Sequence, residues 1–114
     1  MSRAPLAHVR SMAELDALIA GPLPLLVTFT GPKCMICRQL APMLDAVVAE
    51  AGASLASAKV DAEALAEVSG RFEIRALPTT LLFRGGQLAD RIAGFSTAAS
   101  LRAWLKGQGV ALAA

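Results

Sequence analysis

Two cysteines separated by two residues are the side chains best suited to covalent chemistry. Cys34 and Cys37 are the only cysteines of the chain, and they follow an apolar stretch that ends at Gly31-Pro32. If a helix begins at Cys34, its unpaired N–H groups and the positive end of its dipole stabilise that thiolate and lower its pKa. Cys37 then lies one turn deeper, as a resolving thiol must. The pair is predicted to cycle between dithiol and disulfide, with Cys34 as the nucleophile.

Two other interpretations of the cysteine pair stay open. A structural disulfide would close a loop of about four residues and would stabilise the fold by only about 2 kcal/mol. A structural zinc ion takes four ligands, and His8 is the one further soft ligand in the chain. Redox chemistry is therefore the favoured interpretation, and we expect no metal and no bound cofactor.

Composition and charge indicate a globular protein. The chain has 114 residues, of which 55% are hydrophobic and 18% charged, and its formal net charge is +2. This length suits one domain, residues 1–114. The small, evenly spread charge argues against nucleic acid or an anionic membrane as a partner, and we expect a monomer. The N-terminal residues lack an apolar run of signal-peptide length, so the expected location is the cytoplasm.

The hydrophobic pattern predicts alternating strands and helices in the first two thirds of the chain. The expected segments are a weak strand at 5–10, a helix at 12–20, a strand at 23–30, a helix at 34–51, a strand at 54–60 and a short helix that ends at 68. The apolar run at 23–30 is typical of a strand covered on both faces. Pro42 is expected to kink the second helix, and Asp61 to cap the third.

The pattern changes in the last third. Two strands, at 79–84 and 87–93, are joined only by Gly85-Gly86, which is a hairpin signal. An amphipathic helix at about 97–106 follows. Together the segments predict an α/β architecture with a mixed sheet of about five strands and about four helices on its two faces.

With these elements in place, the sequence resembles the thioredoxin family along nearly its whole length. The shared motifs, in the order of that family, are Cys34-x-x-Cys37, Ala41-Pro42, Ala58 to Asp61, Phe72 to Thr79, Phe83 to Gly86 and Ala93 to Phe95. The resemblance implies the three-layer thioredoxin fold and a thiol-disulfide oxidoreductase that acts in cell redox homeostasis. It also implies a disulfide-containing protein as substrate and a small thiol or a reductase as electron donor.

The resemblance further implies a substrate groove beside Cys34. Leu77-Pro78 would be a cis peptide that faces Cys34, and the backbone of Leu77 would pair with an extended substrate chain. The other residues expected to line the groove are Lys33, Met35, Ile36, Ala93 and Gly94. We expect Met35 and Ile36 to be exposed for contact with an apolar partner surface, whereas Lys33 could equally only solvate the turn.

The chain departs from the family pattern around the cysteines. Lys33 and Thr30 stand where tryptophan is usual, and Met35-Ile36 replaces the common Gly-Pro. Thr28 stands in place of a buried aspartate that, with a lysine matching Lys59, is thought to deprotonate the resolving cysteine. A hydroxyl cannot act as a base near neutral pH. These departures motivate an alternative function, a thioredoxin-fold binding or assembly module with weak or no redox turnover.

Overall fold

Five strands form one mixed sheet, and four α-helices cover its faces, in a computed structural model that describes residues 7–112. The strands are β1 (Ala7–His8), β2 (Leu25–Thr30), β3 (Ala56–Asp61), β4 (Thr79–Arg84) and β5 (Gln87–Ala93). They lie in the order β1-β3-β2-β4-β5, in which the first three run parallel and the β2-β4 and β4-β5 pairs are antiparallel. The helices are α1 (Met12–Ile19), α2 (Met35–Ala51), α3 (Ala66–Arg71) and α4 (Ala98–Gly107). The α/β prediction with a mixed sheet is confirmed.

The central strand is the apolar run that the sequence predicts to be covered on both faces. Residues 25–29 of β2 are buried, and successive side chains point to opposite faces of the sheet. Leu26 packs in a core formed mainly with α2 and α4. Val27 and Phe29 pack in a second core, under α1 and α3. Because helices cover both faces, the strand needs no polar alternation.

Strands β2 and β3 begin later than the sequence predicts. Strand β1 is described at Ala7–His8, and the expected residues 5 and 6 lie outside the described part of the chain, so its predicted start is not tested. Strand β2 begins at Leu25 after Pro24, whose ring supplies no N–H to a ladder. Strand β3 begins at Ala56 because Gly52–Ser54 form a short 3-10 turn.

The third helix also begins later than expected. It spans Ala66–Arg71, and no side chain caps its N-terminus. Asp61 instead closes a turn, since its Oδ1 accepts hydrogen bonds from the N–H groups of Glu63 at 2.9 Å and Ala64 at 3.1 Å. Such a side-chain turn competes with helix for the same backbone groups. The prediction that Asp61 caps this helix is therefore wrong by about one turn.

Helix α2 continues across Pro42 to Ala51. The proline removes one backbone N–H from the helical ladder, and its ring is exposed. On the opposite side, Leu40, Leu44 and Val47 are fully buried against the sheet. Packing therefore stabilises the helix at the position where the proline removes a hydrogen bond. The kink expected at Pro42 stays a prediction. Within residues 7–112, no helix combines the length and apolar character needed to cross a bilayer.

A carboxylate joins β5 to α4. Asp90 accepts hydrogen bonds from Nε1 of Trp104 at 2.8 Å and from Nε2 of Gln108 at 3.2 Å. The Trp104 hydrogen bond, followed by one from the backbone N–H of Arg91, lowers the pKa of Asp90 below its usual range. The charged carboxylate therefore stabilises the fold above its unfolded-state pKa of about 3.9, and this contribution is lost as the pH falls through the lower folded-state pKa.

We expect Asp90→Asn to lower the free energy of unfolding at neutral pH by about 1 kcal/mol or less, because Asp90 is only partly buried. The variant should also lose less stability than the wild type between about pH 5 and about pH 2, since it has no carboxylate to protonate. Urea unfolding followed by the fluorescence of Trp104, the single tryptophan, measures both effects. Equal losses of stability in acid would contradict the role of Asp90.

Candidate functional site

The two cysteines lie at the start of α2, just beyond the end of β2. Cys34 is the N-cap residue, with an extended backbone, and its Sγ accepts a hydrogen bond from the N–H of Cys37 at 3.1 Å. Serine, threonine, aspartate and asparagine usually fill this position, and their oxygens accept the same N–H. Here a sulfur takes the place of that oxygen. It therefore faces the unpaired amides and the positive end of the helix dipole.

The cysteines are bonded to each other in this structure. Cys34 and Cys37 form a disulfide, with their Cα atoms 5.2 Å apart, within the normal range for such a bridge. Only 8% of Cys37 is exposed, whereas Cys34 is more accessible. The pair is thus capable of forming a disulfide, and its first member is the one that a partner molecule can reach.

The turn between β2 and α2 is held by hydrogen bonds and by one long-range contact. The N–H of Cys34 donates to the carbonyl of Gly31 at 3.4 Å, and the Arg38 guanidinium donates to the carbonyl of Pro32 at 3.2 Å. A Cβ at Gly31 would lie 3.1 Å from Cδ1 of Leu77. A larger residue at this position would therefore displace the Leu77 side chain from the turn.

The loop before β4 brings Leu77 and Pro78 to this turn. Phe29 of β2 pairs with Thr79 of β4, which places Pro78 beside the end of the central strand. The Leu77-Pro78 peptide is cis, as the resemblance implies. Within residues 7–112, neither the N–H nor the C=O of Leu77 forms a backbone-backbone hydrogen bond. These two groups are available to another extended chain.

Ala93 and Gly94 lie on the other side of Pro78. Ala93 pairs with Thr79, and the N–H of Gly94 donates to the carbonyl of Pro78 at 2.8 Å. Gly94 has φ +83°, a backbone conformation that side chains other than glycine rarely adopt. The end of β5 and the loop before β4 therefore form one continuous surface.

Exposed apolar side chains lie next to the cysteines. Met35 is 62% exposed and Ile36 46%, and Lys33 is also exposed. Phe95, which directly follows Gly94, is 46% exposed, although it is not among the residues that the sequence predicts to line the groove. Since large apolar side chains in water lose the benefit of burial, their presence at one end of the sheet is typical of a contact surface.

Thr28 and Lys59 lie below α2. Thr28 is buried at 4% exposure and pairs with Lys59 of β3 in the parallel register. It shares the sheet face of Leu26, which α2 covers. Lys59 is half-buried, and within residues 7–112 it forms no ion pair within 4.0 Å. In the same part of the chain, no group of three or more His, Cys, Asp or Glu side chains could hold a metal ion.

Two contacts of the site could not be predicted from local sequence signals. One is the packing of Leu77 on Gly31. The sequence predicts only that Gly31 belongs to a turn. The other involves Arg91, whose guanidinium donates to the carbonyls of Phe72 at 2.7 Å and Glu73 at 3.5 Å and so holds the loop that leads to Leu77. Both contacts join residues that are distant in the chain, so only the folded sheet brings them together.

Comparison with known proteins gives a consistent result. The family model for thioredoxin matches residues 8–107. A thioredoxin of Mycoplasmoides gallisepticum is 33% identical over 99 residues, which cover 87% of this chain and 98% of that protein. Thioredoxin 1 of Nostoc sp. is 33% identical over 88 residues, or 77% of this chain and 82% of the relative.

Solved structures show the same fold. A thioredoxin from Malassezia sympodialis is similar with a TM-score of 0.84 at 22% identity, over 94% of this chain and 93% of that one. A thioredoxin from Plasmodium falciparum gives a TM-score of 0.82 at 24% identity, over 90% and 98%. Because the family match spans most of the sequence and the cysteine pair occupies the turn into α2, this chain belongs to the thioredoxin family and is a thiol-disulfide oxidoreductase.

Proposed function

We propose that this protein reduces disulfides of protein substrates through a cycle of Cys34 and Cys37. The Cys34 thiolate attacks one sulfur of the substrate disulfide and forms a mixed disulfide, and the second substrate sulfur leaves as a thiolate. Cys37, once deprotonated, attacks Cys34 and releases the first substrate sulfur. The substrate gains two electrons and, after protonation, two thiols, while the protein is left with the Cys34-Cys37 disulfide.

One observation carries this proposal, the hydrogen bond from the N–H of Cys37 to Sγ of Cys34 at the start of α2. A donor aimed at this sulfur stabilises a negative charge on it more than a neutral thiol. The same donor has no such effect on Cys37, which is buried beneath the turn. Attack by Cys34 and resolution by Cys37 are therefore the roles that fit the two positions.

The groove would hold an extended segment of the substrate. The N–H and C=O of Leu77, which form no backbone-backbone hydrogen bond within residues 7–112, would form main-chain hydrogen bonds with it, next to Pro78. Met35 and Ile36 would cover it on the side of α2, and Ala93 and Gly94 on the side of β5. The adjoining exposed cation, Lys33, would contact the residues that flank the substrate cysteine.

The cycle needs an external source of electrons. A small thiol or a thioredoxin-reductase-type enzyme would reduce the Cys34-Cys37 disulfide after each turnover. The proposed setting is the cytoplasm, where the protein would act as a single-domain monomer in redox homeostasis, without a bound cofactor and without a nucleic-acid or membrane partner.

A binding or assembly module is the second candidate. It is favoured by Thr28, since a hydroxyl stands where a base for Cys37 is expected. A turnover assay separates the two functions. An oxidoreductase accelerates the reduction of a disulfide-linked test protein by dithiothreitol. A binding module leaves that reduction at the rate observed with dithiothreitol alone.

We expect Thr28→Asp to increase turnover about tenfold at neutral pH, because a carboxylate under α2 can accept the proton of Cys37. The same substitution should lower the free energy of unfolding by a few kcal/mol, since it buries a charge that Lys59 only partly compensates. Steady-state reduction of the test protein and urea unfolding measure the two effects.

Thr28→Asn is the matched control, because its side chain has the shape of aspartate without the basic oxygen. The control should not increase turnover. If both variants increase turnover equally, or if neither does, proton transfer from Cys37 does not limit the rate.

A further inference from the structure

Two cations flank the nucleophile of the proposed cycle. Lys33 directly precedes Cys34, and Arg38 lies four residues beyond it, on the same face of α2. Both side chains are exposed. The Arg38 guanidinium donates to the carbonyl of Pro32 at 3.2 Å, which holds its charge against the turn. We call Lys33 and Arg38 the cationic rim.

Within residues 7–112, no acidic side chain forms an ion pair with the cationic rim. The ion pairs within residues 7–112 are Arg71–Asp16 and Arg102–Glu50, and neither involves the rim. The first turn of α2 contains no acidic residue. The N-terminus of the helix adds its own positive potential at the same place. The charge of the rim is therefore available to a carboxylate of a bound molecule.

One acidic side chain, Glu63, approaches the turn at Gly31. Oε2 of Glu63 would lie 3.9 Å from a Cβ at Gly31, and the Glu63 side chain is exposed. This carboxylate approaches the turn at Gly31, and within residues 7–112 it forms no ion pair with Lys33 or Arg38. The exposed Met35 and Ile36 lie between Lys33 and Arg38 in the chain.

From this arrangement we infer that the protein prefers disulfides in protein segments that have acidic residues next to the cysteine. The inference rests on the proposed function and names its substrate class. The carboxylates of the segment contact Lys33 and Arg38, while its apolar side chains pack on Met35 and Ile36. Basic residues at the same positions meet like charge, which costs affinity and slows association.

Three peptides test this preference. They are identical extended segments, each closed by one disulfide, except that glutamate, glutamine or lysine stands beside both cysteines. The pre-reduced protein is mixed with each, and the rate of peptide reduction is followed by chromatography. We expect the glutamate peptide to react about tenfold faster than the lysine peptide at low ionic strength. The two rates should converge at about 1 M salt, where charges are screened within about 3 Å.

Charge-reversal variants assign the preference to the cationic rim. Lys33→Glu and Arg38→Glu should each lower the glutamate-to-lysine rate ratio by about threefold, and the double variant should abolish or reverse it. The ratio is the informative quantity, because one and the same Cys34 thiol attacks both peptides. Any effect of a variant on the pKa of that thiol therefore cancels.

Lys106→Glu is the matched control, since it makes the same change in net charge far from the cysteines. Lys106 lies in the last turn of α4. Two residues further on, the carbonyl of Gln108 accepts a hydrogen bond from Arg84, which ends β4, whereas the cysteines lie near the start of that strand. The control should keep the wild-type ratio. If Lys106→Glu lowers the ratio as much as the rim variants do, net charge and not the rim sets the preference.

The remaining outcomes separate the inference from the proposed function. If all three peptides react at one rate, the protein reduces disulfides without this selectivity and the inference is wrong. If the pre-reduced protein reduces none of the peptides faster than an equal concentration of dithiothreitol does, the proposed function is wrong and the inference with it. Faster reaction with glutathione disulfide than with every peptide would overturn the choice of a protein segment as the partner.

Discussion

Cys34→Ser is expected to reduce disulfide turnover to the background rate of the reductant. A serine hydroxyl forms no disulfide, so the mixed disulfide with the substrate cannot arise on residue 34. Cys37 cannot take over this step, because it is buried and its sulfur does not cap α2. The loss should exceed a hundredfold, limited only by the sensitivity of the assay with dithiothreitol and a disulfide-linked test protein.

The same variant should keep its fold, which makes the result informative. Serine is itself a favoured N-cap residue, and its Oγ can accept the N–H of Cys37 in place of sulfur. Thermal unfolding of Cys34→Ser should therefore match that of the reduced wild-type protein. Equal turnover in the two proteins would show that Cys34 is not the nucleophile.

Cys37→Ser is expected to trap substrates as stable mixed disulfides on Cys34. The backbone N–H of residue 37 remains in place, so the sulfur of Cys34 keeps its donor and still attacks. The second step is lost, because no thiol remains one turn deeper to displace the bound substrate. Mass spectrometry of the variant after incubation with a disulfide-linked test protein should show nearly complete formation of an adduct, which dithiothreitol reverses.

Cys34→Ser and the double serine variant are the controls for trapping. Neither should form the adduct, since each lacks the accessible thiol. Adduct formation through Cys37 in the Cys34→Ser protein would reverse the roles that we propose for the two residues. Applied to a cell extract, the Cys37→Ser protein would also enrich the natural substrates, which can then be inspected for acidic residues next to their cysteines.

The sequence pattern predicts the sheet well because its signals are local. The apolar run at β2 and the Gly85-Gly86 hairpin each lie within one short segment, and both occur in the structure as expected. The start of α3 was not predicted, because an aspartate satisfies the same backbone amides in a turn as in a helix cap. Hydrogen bonds to Asp61 decide between these alternatives, and helical spacing alone does not.

The site was predictable where chemistry depends on adjacent residues. Cys34, Cys37 and the helix start lie within one turn, so their spacing indicates an N-terminal sulfur. The approach of Leu77 to Gly31 depends on the pairing of β2 with β4, which no single segment specifies. The resemblance to the thioredoxin family implies that the Leu77-Pro78 peptide faces Cys34, whereas the residue types alone do not.

The pH dependence of alkylation of the reduced protein tests the central claim most directly. Rates for Cys34 and Cys37 are measured separately, by mass spectrometry of the labelled peptides. We predict that Cys34 reacts first, with a midpoint at least about one unit below the value of about 8.5 for a free cysteine, while Cys37 stays protected at that pH. A midpoint for Cys34 at or above that value, or faster labelling of Cys37, would contradict the activation of Cys34 by the start of α2.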